Sequence, residues 1–448
     1  MKQYRQEYLE ALESLDGDVP GCEAALSYIE QSDIWVHGRP VPFSYVPNLV
    51  GSQDRRFLQE VCTMAHTILC KVIARYLEDA TYRALFGFSP EMERLIMLPC
   101  DYGQMLPLAR FDIFLDENDL SFKFCEFNTD GSGAMSRDLE IGHALQRGAT
   151  YHQFASRHRV EQFELFDSWV EAFMSSYREC PYAKPCPTVA VTDFRESGVF
   201  SDFNRFIAAF ERAGYPARFV DVRSFIFDGE NLVDPSDGTV IDVIYRRAVT
   251  SEMLQHPGEC DALIDAVEQR KVCLIGHFRT TVVHSKVVSI VLFDSQTRSF
   301  LTDEECSFID EHVPRTFRLQ RGQGFDVNVV KASKDAWIIK PEDDYGARGV
   351  YPGVSMAADE WGALVDQKLD ESYIVQEYYP PREVGLVRAD VSEVGGQSAV
   401  EAWTSMPGLY VYNGAFKGLY CRNGCEGIIA LDHGGLCSPS FSVDDENF

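Results

Sequence analysis

The chain has 448 residues, of which 69 are acidic and 41 are Lys or Arg, so its formal net charge is −28. Hydrophobic residues make up 45% of the sequence and aromatic residues 12%, which is enough for a packed interior, and the length suggests two or three domains. The excess of negative charge argues against a nucleic-acid or anionic-membrane partner, because both attract positively charged surfaces.

The amino-terminal segment and the cysteines indicate a cytoplasmic protein. Residues 1–20 carry charges throughout and lack the apolar segment of a signal peptide, and no uninterrupted apolar run approaches the roughly 20 residues of a membrane span. The thirteen cysteines are scattered over the chain, which is typical of reduced thiols. We therefore expect a cytoplasmic location and no membrane contact.

The patterning predicts a mixed α/β chain with four regions. Residues 1–100 are predicted to be helical, because apolar side chains recur at helical intervals in the segment 57–79. Residues 101–180 begin with a strand hairpin, "LARFDIFLDENDLSFKFCEFN", and continue with helices. After a proline cluster, residues 185–290 alternate strands and helices, which predicts a parallel, Rossmann-like layer. Residues 291–448 form the last region.

The hairpin carries polar side chains that are unusual for a strand pair. Residues two apart in a strand share a face, so Arg110 lies beside Asp112 on one strand and Glu126 beside Asn128 on the other. If the strands pair in the expected register, the four side chains converge. Two carboxylates and an amide oxygen suit Mg²⁺, and an arginine beside them would neutralise a phosphoryl group. The alternative is a surface hairpin with ordinary ion pairs.

A lysine and a glycine-bearing loop follow the predicted strand "AWIIKP". Lys340, at the strand end, could hold a phosphate, and Gly346 and Gly349 in "DDYGARG" would let backbone amides approach phosphate oxygens. The loop lacks the Gly-Lys-Ser/Thr of a P-loop. The alternative is a glycine-rich hairpin tip.

Other segments carry single candidates. "YIVQEYY" ends at Gln376 and Glu377, where a strand end could present its backbone to an adenine. Lys286 heads the apolar segment "HSKVVSIVLF", and Arg422 in "GLYCRNG" is a candidate phosphate clamp. The alternatives are an ordinary strand end, a snorkelling lysine and a surface arginine.

Two further patterns are compatible with ligand binding. Residues 131–136, "GSGAMS", nearly match G-x-G-x-x-G but end in Ser136. The run Tyr245-Arg246-Arg247 ends a predicted strand of the Rossmann-like layer and could bind a carboxylate or form a basic surface end.

Taken in order, these segments resemble the ATP-grasp ligases of the glutathionylspermidine synthase type. The resemblance is carried by "ARFDIF", "CEFNTDGSG", "HSKVV", "WIIKP", "YGARG", "IVQEYY" and "GLYCRNGCEGII". It implies an ATP-grasp fold in which residues 291–448 form the nucleotide-binding grasp and the Rossmann-like layer precedes it. It also implies catalytic roles for Arg110 and Arg422, metal binding by Asp112, Glu126 and Asn128, and ATP binding by Arg110, Lys286, Lys340, Tyr345, Gly346, Gly349, Gln376 and Glu377.

The activity that this resemblance implies is an ATP- and Mg²⁺-dependent, ADP-forming ligation. A small-molecule acid, a peptide or an amino acid, would attack the γ-phosphate to give an acyl phosphate, and an amine would then displace phosphate. No amidase domain is expected, because residues 1–100 resemble a helical bundle despite their cysteines and histidines. No segment matches the parts that hold glutathione and spermidine, so the acid and the amine stay open.

Other classes of function compete with the ligase. One is a non-catalytic nucleotide-binding member of the same fold, and another is a small-molecule kinase that stops at the phosphorylated product. A dehydrogenase is disfavoured, because the glycine fingerprint of a dinucleotide site is missing after the first strand of the Rossmann-like layer.

Overall fold

The computed structural model describes residues 1–322, 326–343, 348–389, 400–425 and 427–444. The α-helices in these ranges are α1 (Lys2–Ser14), α2 (Val19–Gln31), α3 (Ser52–Glu78), α4 (Ala80–Arg83), α5 (Pro90–Ile96), α6 (Met135–Leu145), α7 (Ala149–Ala155), α8 (Asp167–Tyr177), α9 (Phe200–Arg212), α10 (Thr250–Leu254), α11 (Asp261–Glu268), α12 (Thr281–His284), α13 (Val288–Val291), α14 (Ser295–Arg298), α15 (Asp303–His312), α16 (Val327–Ala332) and α17 (Ala358–Lys368). Short 3₁₀ turns lie at Phe278–Thr280, Lys334–Ala336, Gly353–Ser355 and Leu431–His433.

The strands are β1 (Trp35–Val36), β2 (Arg39–Pro40), β3 (Asn48–Val50), β4 (Leu108–Leu115), β5 (Phe122–Asn128), β6 (Arg159–Gln162), β7 (Val189–Asp193), β8 (Ala217–Asp221), β9 (Ile226–Phe227), β10 (Leu232–Asp234), β11 (Thr239–Ile241), β12 (Val243–Arg246), β13 (Cys273–Ile275), β14 (Thr316–Arg318), β15 (Trp337–Pro341), β16 (Tyr351–Pro352), β17 (Tyr373–Glu377), β18 (Glu383–Leu386), β19 (Glu401–Tyr412), β20 (Ala415–Gly424), β21 (Leu436–Ser438) and β22 (Ser440–Asp444).

The largest sheet joins distant parts of the chain. Its order is β21-β20-β19-β4-β5, with β18 also paired to β19, and all its pairs are antiparallel. The predicted hairpin, β4 and β5, therefore forms one sheet with strands from the carboxyl-terminal region. Side chains of this sheet and of the long helix α3 share one apolar core.

The register of the hairpin is the one expected from the sequence. Arg110 lies opposite Asn128 and Asp112 opposite Glu126, so the four side chains share one face. Between Asp112 and Ile113 the register shifts by one residue, because Cys125 is the extra residue of a β-bulge. The bulge explains why the aromatic side chains of this strand (Phe122, Phe124 and Phe127) all enter the core although they are not evenly spaced.

Helix α3 is a core helix whose composition also resembles that of a membrane span. It has 27 residues, and by length and hydropathy it could cross a membrane. In the structure its apolar side, with Val61, Ile68 and Val72, is buried in the core behind the large sheet. This packing accounts for the apolar sequence of the helix.

The predicted Rossmann-like layer is present. Strands β13-β12-β7-β8 form a parallel sheet in that order, and α9 and α11 contribute buried side chains to the cores on either side of it. Because the chain passes from β7 to β8 on one side and later returns to β12 on the other, the strand order reverses between β7 and β12.

The carboxyl-terminal region contributes a second four-stranded sheet. Its order is β14-β17-β15-β16, its pairs are antiparallel, and α16 and α17 cover it around the fully buried Trp361. Smaller sheets, β3-β22-β6, β11-β10-β9 and β1-β2, complete the fold.

Candidate functional site

Asp112 holds two arginines on the polar face of the large sheet. Its side chain is fully buried, and its oxygens accept hydrogen bonds from Arg110 Nε at 2.7 Å and Nη2 at 3.0 Å. Arg422, two strands away on β20, also donates to Asp112 Oδ2. The contact is possible because Gly408 on the intervening strand β19 has no side chain. A Cβ there would lie 2.5 Å from Asp112 Oδ1 and 2.9 Å from Arg110 Nε.

Glu126 and Asn128 lie beside this cluster. Asn128 Nδ2 donates to Asp112 Oδ2 at 2.9 Å and to Glu126 Oε1 at 3.3 Å. Burial opposes ionisation of Glu126, but nearby cations outweigh it and lower its pKa to about 2; they are Lys286, Arg422, Lys340 and Arg110. The carboxylate is therefore ionised at neutral pH in a positively charged surrounding that suits a polyphosphate.

The metal-ligand prediction can be tested against these contacts. The Glu126 carboxylate and the Asn128 amide oxygen are hard oxygen donors on one wall, as Mg²⁺ requires. Asp112 is less suited to bind a metal ion, because its oxygens already accept hydrogen bonds from Arg110, Arg422 and Asn128. Glu126 and Asn128 thus fit as direct ligands, whereas Asp112 fits better as the residue that positions the two arginines. Among the described residues, no cluster of three His, Cys, Asp or Glu has metal-site geometry.

The two predicted lysines approach the same place from other elements. Lys340 on β15 is 5% exposed, and its Nζ donates to Gln376 Oε1 at 2.8 Å. The Gln376 amide in turn donates to Thr316 Oγ1 at 2.9 Å. Lys286 lies between α12 and α13, and its backbone N–H donates to the Glu342 carbonyl at 3.0 Å. Gln376 therefore positions Lys340, the lysine that is predicted to bind a phosphate.

The backbone amides at the end of β17, where an adenine contact is predicted, are already hydrogen-bonded. The Glu377 N–H donates to the Arg315 carbonyl at 2.9 Å, and the Tyr378 N–H donates to the Ala336 carbonyl at 2.8 Å. A base at this strand end would therefore have to use backbone carbonyls or side chains, and the contact of Gln376 and Glu377 with an adenine stays a prediction.

The glycine loop is only partly described. Tyr345 and Gly346 lie outside the described residues. Gly349 adopts a positive φ of 63°, and a Cβ there would lie 3.1 Å from the Tyr373 hydroxyl.

A first cavity lies between the two antiparallel sheets. One part of its wall is apolar and aromatic, with Phe114, Ile338, Tyr379, Met406 and Ile429. The other part is polar and carries the predicted residues Glu126, Lys286, Lys340, Gln376 and Arg422. An apolar slot that ends in lysines and an arginine is complementary to a purine nucleotide and its phosphates.

A second cavity of about 260 Å³ adjoins the first. It shares Glu126 and Arg422 with the first cavity, and it extends along the loop 130–134 towards the parallel sheet. Arg110 and Asn128 line its near end, and Asp193, Arg247 and Glu252 line its far end. The cluster around Asp112 therefore stands where two cavities meet.

The glycine-rich loop and the predicted basic run take different roles. The loop 131–134 forms a wall of the second cavity, while Arg246 is 2% exposed and pairs with Asp130 at 2.5 Å. Arg246 thus ties the loop to the parallel sheet, and only Arg247 of the two arginines lines the cavity.

Sequence reasoning did not identify Gly408, Asp193 or Glu252. An isolated glycine in the strand-like run "SMPGLYVY" is a signal of close approach by another group. Asp193 is the last residue of β7, and the carboxyl ends of parallel strands are where such sheets bind ligands. Glu252, on a five-residue helix, carried no comparable signal.

Comparison with known proteins identifies the fold. No protein-family profile and no curated protein matches the chain. The structure is similar to that of a glutathione synthetase-like effector from Globodera pallida, with a TM-score of 0.58 and 11% sequence identity over 94% of this chain and 96% of that one. The chain therefore has an ATP-grasp-like synthetase fold.

Two more distant matches carry no argument, because their TM-scores are below 0.5. One is a protein assigned as a gamma-glutamylcysteine synthetase from Methylobacillus flagellatus, with a TM-score of 0.40 and 11% identity over 85% of each chain. The other is a D-cycloserine synthetase, with a TM-score of 0.30 and 13% identity over 56% of this chain and 75% of that one. None of these three proteins is a glutathionylspermidine synthase, so that finer assignment stays a prediction.

Proposed function

We propose that this protein is an ATP- and Mg²⁺-dependent ligase that joins a carboxylate to an amine through an acyl phosphate. One observation carries the proposal: a cluster of two arginines, Glu126 and Asn128 stands at the junction of two cavities. A transfer between two small molecules requires such a junction. The nucleotide would occupy the first cavity and the acid the second.

The residues at the junction have distinct roles in this proposal. Lys286 and Lys340 bind the nucleotide phosphates, and Gln376 holds Lys340 in place. Arg110 and Arg422, fixed by Asp112, stabilise the negative charge on the transferred phosphoryl group and later on the tetrahedral acyl centre. Glu126 and Asn128 would hold Mg²⁺, which neutralises phosphate charge when bound.

The chemistry proceeds in two steps. A carboxylate oxygen of the acid forms a bond to the γ-phosphorus while the bond to the ADP oxygen breaks. The amine nitrogen then forms a bond to the acyl carbon, the carbon–oxygen bond to phosphate breaks, and the nitrogen loses a proton. The products are an amide, ADP and inorganic phosphate.

The test is ADP release from ATP and Mg²⁺ with a panel of acids crossed with amines, including glutathione with spermidine. We expect release that needs both an acid and an amine and that falls about 10²–10³-fold in Glu126→Gln. Glu211→Gln, an exposed position on α9, is the matched control and should keep full activity.

The competing functions give different results in the same assay. ADP release that needs an acid or an alcohol but no amine would indicate a small-molecule kinase. Binding of Mg-ATP, measured as a rise in melting temperature, without turnover on any pair would favour a non-catalytic nucleotide-binding protein. Absence of Mg-ATP binding would overturn the proposal.

A further inference from the structure

Two thiols from distant parts of the chain meet at the edge of the parallel sheet. Cys180 lies three residues after the end of α8, and Cys273 is the first residue of β13, an outer strand of that sheet. All thirteen cysteines are free thiols in the structure, but the sulfur atoms of these two are only 2.7 Å apart. Both side chains are buried, with 4% and 1% exposed, and the contact joins residues that are 93 positions apart in the sequence.

The position of the two thiols meets the geometric requirement of a disulfide. A disulfide holds its sulfurs at about 2.05 Å, and it forms without movement of the backbone only between cysteines whose side chains already point towards each other. Cys180 and Cys273 do so from a helix end and a strand that share one apolar core. Joining the two sulfurs therefore requires rotation of the side chains and no rearrangement of α8 or β13.

The surroundings distinguish the two thiols. The contact with Cys180 and burial raise the pKa of Cys273, so this thiol keeps its proton at neutral pH. Cys180 directly precedes an exposed turn that begins at Pro181, and the Cys180 carbonyl accepts a hydrogen bond from the Ala183 amide at 3.0 Å. Opening of this short turn exposes Cys180 without unfolding the core. Cys180 is therefore the thiol that a reagent in solution reaches first.

We propose that Cys180 and Cys273 are a site of reversible covalent modification, at which exchange with a low-molecular-weight disulfide forms a disulfide between them. The bond links the end of α8 to the outer strand β13 and responds to the redox state of its surroundings. The pair lies at the amino end of β13, whereas the second cavity lies at the carboxyl ends of β7 and β12. The inference is therefore independent of the proposed function.

The exchange proceeds in two steps. The Cys180 thiolate forms a bond to one sulfur of the small disulfide, whose sulfur–sulfur bond breaks and releases one thiolate. Cys273 then loses its proton, its sulfur forms a bond to Cys180 Sγ, and the second small thiolate leaves. In total the two protein thiols lose two electrons and two protons, and the small disulfide gains them and becomes two thiols.

The test treats the reduced full-length protein, without denaturant, with bis(2-hydroxyethyl) disulfide and 2-mercaptoethanol in set proportions, because these reagents carry neither an acid nor an amine. Alkylation of the remaining thiols and peptide mass spectrometry then identify every linked pair. We expect one internal cross-link, between the peptides of Cys180 and Cys273, which dithiothreitol removes. An internal disulfide releases two small thiols, so tenfold dilution of both reagents should raise the ratio of oxidised to reduced pair about tenfold, whereas a mixed disulfide would not change.

The melting temperature shows whether the bond links the two elements. A cross-link between residues this far apart restricts the unfolded chain, so the oxidised protein should melt about 2–8 °C higher than the reduced one. Cys180→Ala and Cys273→Ala should each remove the cross-link and this difference. Cys186→Ala removes an exposed thiol near Cys180 in the sequence and should change neither. The two forms of the unsubstituted protein decide the question even where a variant is too unstable to measure.

Three results would overturn the proposal. One is the absence of a cross-link between Cys180 and Cys273 at every proportion of the reagents. Another is a cross-link that forms only in urea, or that contains the nearby Cys100 in place of either thiol. The third is a cross-link that forms in the native protein but leaves the melting temperature unchanged, because such a bond does not hold α8 to β13.

Discussion

Asp112 is the residue on which the geometry of the candidate site depends. It accepts hydrogen bonds from arginines on two strands, and neither guanidinium could be held in the same place by a shorter or neutral side chain. The space for this arrangement comes from Gly408, which leaves the middle strand without a side chain at the point where the two arginines approach.

Gly408→Ala should therefore disturb the site because the new side chain collides with Asp112 and Arg110, while the charge of the site stays the same. The new Cβ would lie 2.5 Å from Asp112 Oδ1, so Arg110 and Arg422 must move, and the free energy of unfolding should fall by about 1–3 kcal/mol. ADP release should fall by about 10²-fold, as for loss of one transition-state donor. Gly362→Ala is the control, because nothing lies within 4 Å of a Cβ there, and it should be neutral or stabilising. Unchanged activity in Gly408→Ala would contradict the arrangement.

At the level of elements, the bulge at Cys125 divides β5 into two parts: the first packs against the core, and the second carries the side chains of the candidate site. Before the bulge, Phe122 and Phe124 face the core, and after it Glu126 and Asn128 face the cavities. A strand with strict alternation would place Phe124 and Glu126 on the same face. The bulge takes Cys125 out of the alternation, so the core face and the cavity face of β5 each keep their own side chains.

Deletion of Cys125 tests the bulge. Without Cys125 the strand alternates strictly, so Phe122 and Phe124 stay on the core face and Glu126 and Asn128 stay on the cavity face, and we expect a folded protein that still gains thermal stability from Mg-ATP. Cys125→Ala keeps the residue count and the bulge, and it should retain most of the Mg-ATP effect. The measurement is the melting temperature with and without Mg-ATP. A deletion variant that folds but no longer responds to Mg-ATP would contradict this register and show that the site needs the bulge itself.

At the scale of the whole molecule, the second cavity lies between the large sheet and the parallel sheet, so it depends on how these two sheets are positioned relative to each other. The link is the buried pair between Asp130, which follows β5, and Arg246, at the end of β12. Asp130 also accepts from the Thr250 amide at 2.8 Å and hydroxyl at 2.6 Å. Burial opposes ionisation of Asp130, but interactions with Arg246 and His284 and the hydrogen bonds outweigh it and lower its pKa.

Asp130→Asn should lower the free energy of unfolding by about 3–5 kcal/mol, because Arg246 would remain buried without a counter-charge. A carboxylate with a lowered pKa stabilises the fold above its ordinary pKa of 3.8 and loses this effect as the pH falls through the lower folded-state value. The difference between the two proteins should therefore be full at pH 7 and shrink under strong acid. Urea denaturation at several pH values measures it, with Asp265→Asn as the surface control. A difference that stays constant with pH would contradict the ion-pair explanation.

Much of this arrangement could be predicted from local patterns. The hairpin, the parallel layer and the convergence of Arg110, Asp112, Glu126 and Asn128 follow from period-2 alternation and from strand–helix alternation, which act over short stretches of chain. The role of Asp112 and the hydrogen bonds of the Glu377 and Tyr378 amides could not be predicted in this way. They depend on hydrogen bonds to residues far away in the sequence, such as Arg422 and Arg315.

The sequence by itself determined the class of fold and indicated most of the charged residues that line the first cavity, because both follow from side-chain types at regular spacing. Only the tertiary structure decided that β4 lies beside β19, that Gly408 makes room for two arginines, and that Asp193 and Arg247 line one cavity at the reversal of the parallel sheet. The physical reason is that side-chain spacing acts within an element, whereas a cavity forms between elements whose positions are set by the packing of the whole chain.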